Sequence, residues 1–251
     1  MIRFENVTKL YDNNTGLADV SLDIQRGEFV FLVGPSGAGK TTLIKLILKE
    51  INADSGSIFV NDTDVTTLTR KEIPAYRREL GIVFQDFRLL ENKTVFENVA
   101  FAMEIMHHSR EEIENRVPQA LKLMGIEGCS ERYPGGLSAG EQQRAAIARA
   151  IINKPKVLIC DEPTGNLDPD TAFDIMRLLS VINSTGTTIL MVTHARDIVD
   201  RMSKRVITLE NGRITGDHIG SYNIGSRAGM PAGKTDPGLK IDFDWSGGGQ
   251  G

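Results

Sequence analysis

The hydrophobic pattern of the chain divides it into three stretches. Residues 2–7, 17–24 and 56–60 read as short strands, separated by turn-forming Asp12-Asn13-Asn14 and Ala53-Asp54-Ser55-Gly56. They predict a small, mainly antiparallel β-layer near the start. The wholly apolar run Phe29-Val30-Phe31-Leu32-Val33 predicts a buried strand, and Leu43, Ile44, Leu46 and Ile47 give the following helix one apolar face. Another strand-like run, Leu80-Gly81-Ile82-Val83-Phe84, stops at Gln85. From about 94 to 152 the period becomes helical, with Val95, Val99, Ala102, Met103 and Met106 recurring on one face, then further helical segments at 109–125 and 138–152. Strands and helices alternate after that: strand 157–160, helix 170–182, strand 187–193, helix 196–202, strand 206–209. Asn211-Gly212 then reads as a hairpin turn into Arg213-Ile214. Strands separated by helices argue for an α/β fold with a mostly parallel sheet. The helical block, about 86–153, interrupts the alternation and reads as an inserted subdomain of a unit spanning 1–220.

The last stretch, 221–251, has eight glycines and reads as a flexible tail, or as a partner-binding segment through Ile241-Asp242-Phe243-Asp244-Trp245. Hydrophobic content of 40% and charged content of 25% over 251 residues are those of a globular protein. The net charge of −4 makes a nucleic-acid partner a poor expectation. No apolar stretch approaches the roughly 20 residues needed to span a bilayer, and the N-terminus lacks the apolar segment of a signal peptide. A cytoplasmic location is expected. Cys129 and Cys160 form no C-x-x-C pair. Cys160 ends an apolar run and reads as a small buried hydrophobe.

The candidate chemistry begins right after the strand at 29–33. Gly34-Pro35-Ser36-Gly37-Ala38-Gly39-Lys40-Thr41 fits the phosphate-binding pattern G-x-x-x-x-G-K-[ST], with Thr42 continuing into the helix. The three glycines allow backbone conformations that a Cβ would obstruct. Loop N–H groups and the helix N-terminus offer partial positive charge to phosphate. Lys40 is expected to reach the β- and γ-phosphates, and the Thr41 hydroxyl to ligate Mg²⁺.

A second cluster follows the run Val157-Leu158-Ile159-Cys160, which ends in Asp161-Glu162. Carboxylates at the C-terminal end of a parallel strand sit where open α/β sheets bind ligands. Asp161 suits a Mg²⁺ partner. Glu162 is expected near the γ-phosphate, where it could accept a proton from attacking water. Leu137-Ser138-Ala139-Gly140-Glu141 opens a helix, and Ser138 with Glu141 spells a capping box. The same helix N-terminus, with Ser138 and Gly140 uncovered, could serve as a second anion site.

Taken together with Gln85, Asn166-Leu167-Asp168 and His194, these motifs resemble the nucleotide-binding domain of ABC transporters over about residues 1–220. The resemblance implies a P-loop NTPase (RecA-like) core, ATP and Mg²⁺ as ligands, and a head-to-tail homodimer in which each phosphate loop faces the partner's signature helix. It implies adenine stacking on Tyr11, and Mg²⁺ contact by Gln85. It also implies γ-phosphate contacts from His194 and, across the interface, from Ser138 and Gly140, with Asp168 at the dimer seam. The signature here departs from the usual L-S-G-G-Q at Ala139 and Glu141, which places an acid near bound phosphate. The run Val83 to Leu90 and Thr94 to Val99 is similar to the cell-division branch of the family. That similarity implies an integral membrane partner, control of cell-wall hydrolases and a peripheral place on the cytoplasmic side of the bacterial membrane. Relatives with the same core motifs serve lipoprotein release or macrolide export, and soluble non-transport ATPases of the family also exist. Phe87, Phe96, Phe101, Met103 and Met106 suit a groove for a partner's helix, or form the helical block's own core, which is the expectation for Val99 and Met103.

Overall fold

The computed structural model describes residues 1–11 and 14–222. In chain order its first elements are β1 (Ile2–Tyr11), β2 (Asn14–Ile24), β3 (Phe29–Val33), α1 (Lys40–Ile47), β4 (Ser55–Val60), β5 (Thr63–Asp64), α2 (Ile73–Arg78) and β6 (Leu80–Val83). There follow α3 (Val95–Glu104), α4 (Arg110–Met124), α5 (Ala139–Ile151), β7 (Val157–Asp161), α6 (Pro169–Ser184), β8 (Thr188–Val192), α7 (Arg196–Met202), β9 (Arg205–Glu210) and β10 (Arg213–Ile219). The expected tail lies, from residue 223 onward, outside the described residues. Among the described residues no helix is long and apolar enough to cross a membrane.

Two sheets form. The first has the order β2-β1-β4-β5 and is antiparallel throughout. In β1, Ile2 and Phe4 turn inward and Arg3 and Glu5 outward, as a pleated strand with one wet face requires. The second has the order β10-β9-β3-β8-β7-β6. Its five strands from β9 to β6 are parallel, and β10 adds antiparallel to β9. Asn211 (φ 49°) and Gly212 (φ 75°) make the hairpin turn between β9 and β10, both left-handed as the type I′ geometry demands.

Period-2 alternation assigns each strand of the parallel sheet to two cores. Val30 and Leu32 of β3, Ile159 of β7 and Leu190 of β8 pack with α1 and the inner face of the antiparallel sheet. Phe29, Phe31 and Val33, with Leu158, Cys160, Ile189 and Met191, pack against α3 to α6. Every residue of β3 is buried, and burying such side chains contributes on the order of 1.5–3 kcal/mol each. This anchors the strand that feeds the phosphate loop. The helices α3, α4 and α5 lie in the crossover between adjacent parallel strands β6 and β7. Ser and Thr caps begin all three, each with a reciprocal Glu at the third helical position.

Of the strands and α-helices named above, two are additional to those read from the sequence. The helix α2 is short and amphipathic through one residue, Tyr76, whose hydroxyl donates to Ile47 O at 2.5 Å. The strand β5 has only two residues and pairs with the end of β4. The helix α3 stops at Glu104, so Met106 falls beyond it. Val99 and Met103 are fully buried, whereas Phe101, Ile105 and Met106 are 36–39% exposed and share one end of that helix.

Candidate functional site

The phosphate-type loop is built where β3 runs into α1. Gly34 (φ 153°), Gly37 (φ 77°) and Gly39 (φ 108°) occupy backbone regions closed to most L-residues. A Cβ at Gly34 would collide with the carbonyl of Leu209, and one at Gly39 with that of Gly16. The β9–β10 turn wedges the loop from behind. Gly212 N donates to Ala38 O (3.0 Å), and Gly212 O accepts from Ala18 N (2.8 Å). Because Gly39 is the N-cap, α1 has no side-chain cap, and its first turn holds no acidic residue. Its leading N–H groups are therefore open to an anion.

Lys40 is buried and folds back into this loop, donating to Gly34 O (2.7 Å) and Pro35 O (2.9 Å). Burial lowers its ammonium pKa, and the carboxylates of Glu162 and Asp161 act in the opposite direction. A cleft of about 170 Å³ lies over the loop, lined by Tyr11, Gly16, Gly37, Ala38, Gly39, Lys40, Thr41 and Thr42. Tyr11 is half exposed at its rim, its hydroxyl 3.4 Å from Thr42 Oγ1.

Outside the lining of this cleft, and near enough for Asp161 and Glu162 to act on Lys40, lie the ends of neighbouring strands. Because β6, β7, β8 and β3 are parallel, Gln85, Asp161-Glu162, His194 and Gly34 all follow C-terminal strand ends and gather along one edge of the sheet. Burial raises the Asp161 pKa, reinforced by Glu162, while Arg88 and Lys40 oppose the rise. Glu162 leaves the strand with φ 49°, a conformation that a non-glycine residue holds only when its surroundings impose it. Its N–H donates to Val192 O (3.0 Å), and its carbonyl accepts from Gly165 N (3.1 Å). The result places its carboxylate 3.1 Å from His194 Nε2. Gln85 is exposed, and its carbonyl accepts from Asn166 Nδ2 at 3.1 Å. Asp168 caps α6, accepting from Thr171 N at 3.0 Å, which holds its carboxyl below the usual range.

Ser138 and Gly140 do not line the cleft. They sit at the exposed start of α5, where the capping box is closed. Glu141 N donates to Ser138 Oγ (3.3 Å), and Ser138 N and Oγ donate to Glu141 Oε2 (2.7 and 2.8 Å). Those bonds, with Cys129 and Arg132 on the other oxygen, push the Glu141 pKa down to about 2. Gly140 is small for a packing reason, since a Cβ there would meet Thr171 Cγ2 at 2.7 Å.

Several supporting residues are absent from the motif reading. Gln143 is fully buried and donates to Pro163 O at 2.6 Å. Arg149 donates to the carbonyls of Arg88 (2.6 Å) and Phe87 (2.9 Å), two consecutive left-handed residues after Gln85. Asn98, also fully buried, binds Leu90 through both its N–H and its C=O. A polar residue on a buried helical stripe, Gln143 in line with Ile147 and Ile151, was the available signal.

The profile of the ABC transporter family matches residues 17–165. The chain belongs to the ABC transporter family. It is 50% identical over 218 residues to the cell division ATP-binding protein FtsE of Streptococcus pneumoniae serotype 2, covering 86% of this chain and 95% of that protein. Its identity to FtsE of Bacillus subtilis is 49% over 228 residues, covering 89% of this chain and all of that protein. Among solved structures, a dimeric post-hydrolysis state of the ATP-binding cassette MJ0796 bound to ADP and Pi is 34% identical, with a TM-score of 0.79 over 87% of this chain and 98% of that one. The family's activity is the chain's activity: it binds ATP and hydrolyses it.

Proposed function

We propose that this chain is the ATPase subunit of a bacterial cell-division complex. It acts as a homodimer on the cytoplasmic face of the membrane, beside an integral partner of the FtsX type that controls cell-wall hydrolysis. The extensive similarity to FtsE proteins supports the cell-division role. The exposed Phe101, Ile105 and Met106 supply an apolar patch suited to a partner's helix.

The single observation that carries the chemistry is the Glu162–His194 pair at 3.1 Å, held at the strand edge beside Asp161. In this reading Lys40 and the N–H groups of residues 34–42 hold the β- and γ-phosphates, and Tyr11 stacks on adenine. Glu162 accepts the proton of the attacking water, and His194 steadies that carboxylate and the γ-phosphate. Among the described residues no three His, Cys, Asp or Glu side chains cluster as a metal cage. That suits Mg²⁺, which takes one or two protein ligands and fills its shell with phosphate oxygens and water. Thr41, Gln85 and Asp161 are the side chains that would hold it. Bound there, it would neutralise charge developing on the phosphate oxygens.

Ser138 is exposed at the start of α5, which supports its service, with Gly140, to a partner's γ-phosphate, with Asp168 near the seam. A triphosphate gripped by both chains favours the closed dimer in proportion to its differential affinity for that state. Cleavage releases the grip, and the opening passes to the membrane partner through the surface near Gln85.

Glu162→Gln should bind ATP normally and lower turnover by on the order of 10²–10⁴, the usual worth of a general base. Unchanged hydrolysis would remove the assignment. Ser138→Arg places bulk and charge at the proposed seam and should silence mixed dimers at the site facing the altered helix. Full activity of such dimers would argue against the shared site.

A further inference from the structure

We propose that Gln143 is a positioning residue that couples the two nucleotide sites of the dimer, by tying the signature helix of each chain to the turn that carries its own Glu162. The proposal rests on the reading of Glu162 as general base and of α5 as facing the partner's phosphates.

The helix α5 has two ends of influence. Its exposed start, Ser138 to Gly140, belongs to the partner's site. One turn further in, Gln143 is fully buried and reaches the residue that follows Glu162, with Nε2 to Pro163 O at 2.6 Å. Its Oε1 is buried too and finds no partner. Half of this amide is thus desolvated without compensation, which is destabilising. An apolar residue would avoid that penalty but would leave the Pro163 carbonyl without this donor. The value of Gln143 therefore lies in that one bond.

Among the described residues, three hydrogen bonds hold the backbone of the Glu162–Pro163 turn, besides the pair that the Glu162 carboxylate makes with His194. Glu162 N donates to Val192 O, and Gly165 N donates to Glu162 O. Both of these run from backbone to backbone, within the turn or to β8. The third, from Gln143, is a side-chain bond to the turn's backbone and comes from α5. Because Glu162 sits at φ 49°, its conformation depends on these restraints rather than on its own preference. Gly140 also lets the start of α5 pack on Thr171, at the capped start of α6. A shift of α5 on engaging the partner's nucleotide would thus pull on the Pro163 carbonyl. It would reset the Glu162 carboxylate against His194 in the chain's own site. Each site would then sense the other through about one helical turn.

The test uses the full-length protein with its membrane partner, scoring ATP hydrolysis, ATP-driven dimer formation and the Hill coefficient. Gln143→Met keeps the length of the side chain and removes the donor. It should lower kcat about tenfold, within the range of site–site coupling, with KM and dimer formation nearly unchanged and a Hill coefficient falling from above 1 to 1. Gln143→Glu is nearly isosteric and donates only when protonated, and burial raises a carboxyl pKa. Its turnover should fall as pH rises, relative to a wild-type profile that shares Asp161, Glu162 and His194. If Gln143→Met does not fold, this acid limb alone decides. The coupling is overturned by a wild-type Hill coefficient of 1. Unchanged kcat and cooperativity in Gln143→Met would overturn it too, as would equal losses of kcat, ATP binding and thermal stability, or a Gln143→Glu profile parallel to wild type. Glu162→Gln assayed alongside separates the two claims: if it loses turnover and Gln143→Met does not, only the coupling fails.

Discussion

The starts of α1 and α5 present the same object, a helix N-terminus, by opposite means. At α1 the cap is Gly39, which has no side chain to offer, and no acid follows in the first turn. The N–H groups stay open, and the loop before them is shaped by backbone alone. At α5 the cap is Ser138, already engaged with Glu141, and one orphan donor is satisfied before any ligand arrives. Glu141 also brings a negative charge, answered by Arg132 at 3.4 Å. The first site is suited to grip an anion unaided. The second is closed by its own side chains and held by contacts with distant parts of the chain: Gly140 with Thr171, Gln143 with Pro163, Arg149 with Phe87 and Arg88.

That contrast breaks most visibly at Gly39. Gly39→Ala puts a Cβ against the Gly16 carbonyl at φ 108°. Neither the loop nor β2 can yield cheaply, because Gly212 holds Ala18 and Ala38 on the same backbone. Strain of this kind costs about 1–3 kcal/mol before the collision is counted. The expected result is a loss of at least about 5 °C in melting temperature and a sharp fall in ATP affinity by titration calorimetry. A variant that melts and binds like wild type would mean that the loop is far softer than its glycines imply.

The same contrast explains what the sequence made legible. The phosphate loop announced itself because its physics is local: an apolar run, three glycines, then Lys40 and Thr41. The β9–β10 turn was legible at Asn211-Gly212 for the same reason. Asp161 and Glu162 were readable as strand-end acids once β7 was recognised. What escaped was non-local. Gln143 stands on the apolar stripe of α5 with Ile147 and Ile151, but its partner Pro163 is set only by the fold. Helix α2 carries a single buried anchor, Tyr76, and so no periodicity to detect. Asn98 sits among apolar neighbours with no hint that it would knit the loop after Gln85. The small size of Gly140 invites a backbone explanation, yet the folded chain gives a packing one.

A smaller effect is expected at Gly140, where the obstacle is a side-chain methyl rather than a carbonyl. Alanine is favoured over glycine in a helix by up to about 1 kcal/mol, and the contact with Thr171 Cγ2 at 2.7 Å works against it. Gly140→Ala alone should be destabilising by about 1 kcal/mol or less. Adding Thr171→Ser, which deletes that methyl while keeping the backbone N–H for Asp168, should turn the change neutral or stabilising. A double-mutant cycle by denaturant unfolding measures the pair directly. Strict additivity would mean that the two helix starts do not press on each other.

The smallest expected effect sharpens the comparison from the side of charge. Glutamine at 141 can still close the capping box, so Glu141→Gln should lose little more than the partly exposed pair with Arg132, about 0.2–1 kcal/mol. The pH dependence carries the information. The folded pKa of Glu141, about 2, lies below its ordinary value of 4.5. A depressed carboxyl stabilises the fold fully above the ordinary value and loses that contribution as pH falls from 4.5 towards 2. The wild-type advantage over Glu141→Gln should therefore be present at pH 7 and shrink by pH 3, as read by paired melting temperatures. An advantage that stays constant across that window would mean that the carboxylate is not held by Ser138 and Arg132. The negative charge at the start of α5 would then stand uncompensated beside any phosphate the helix meets.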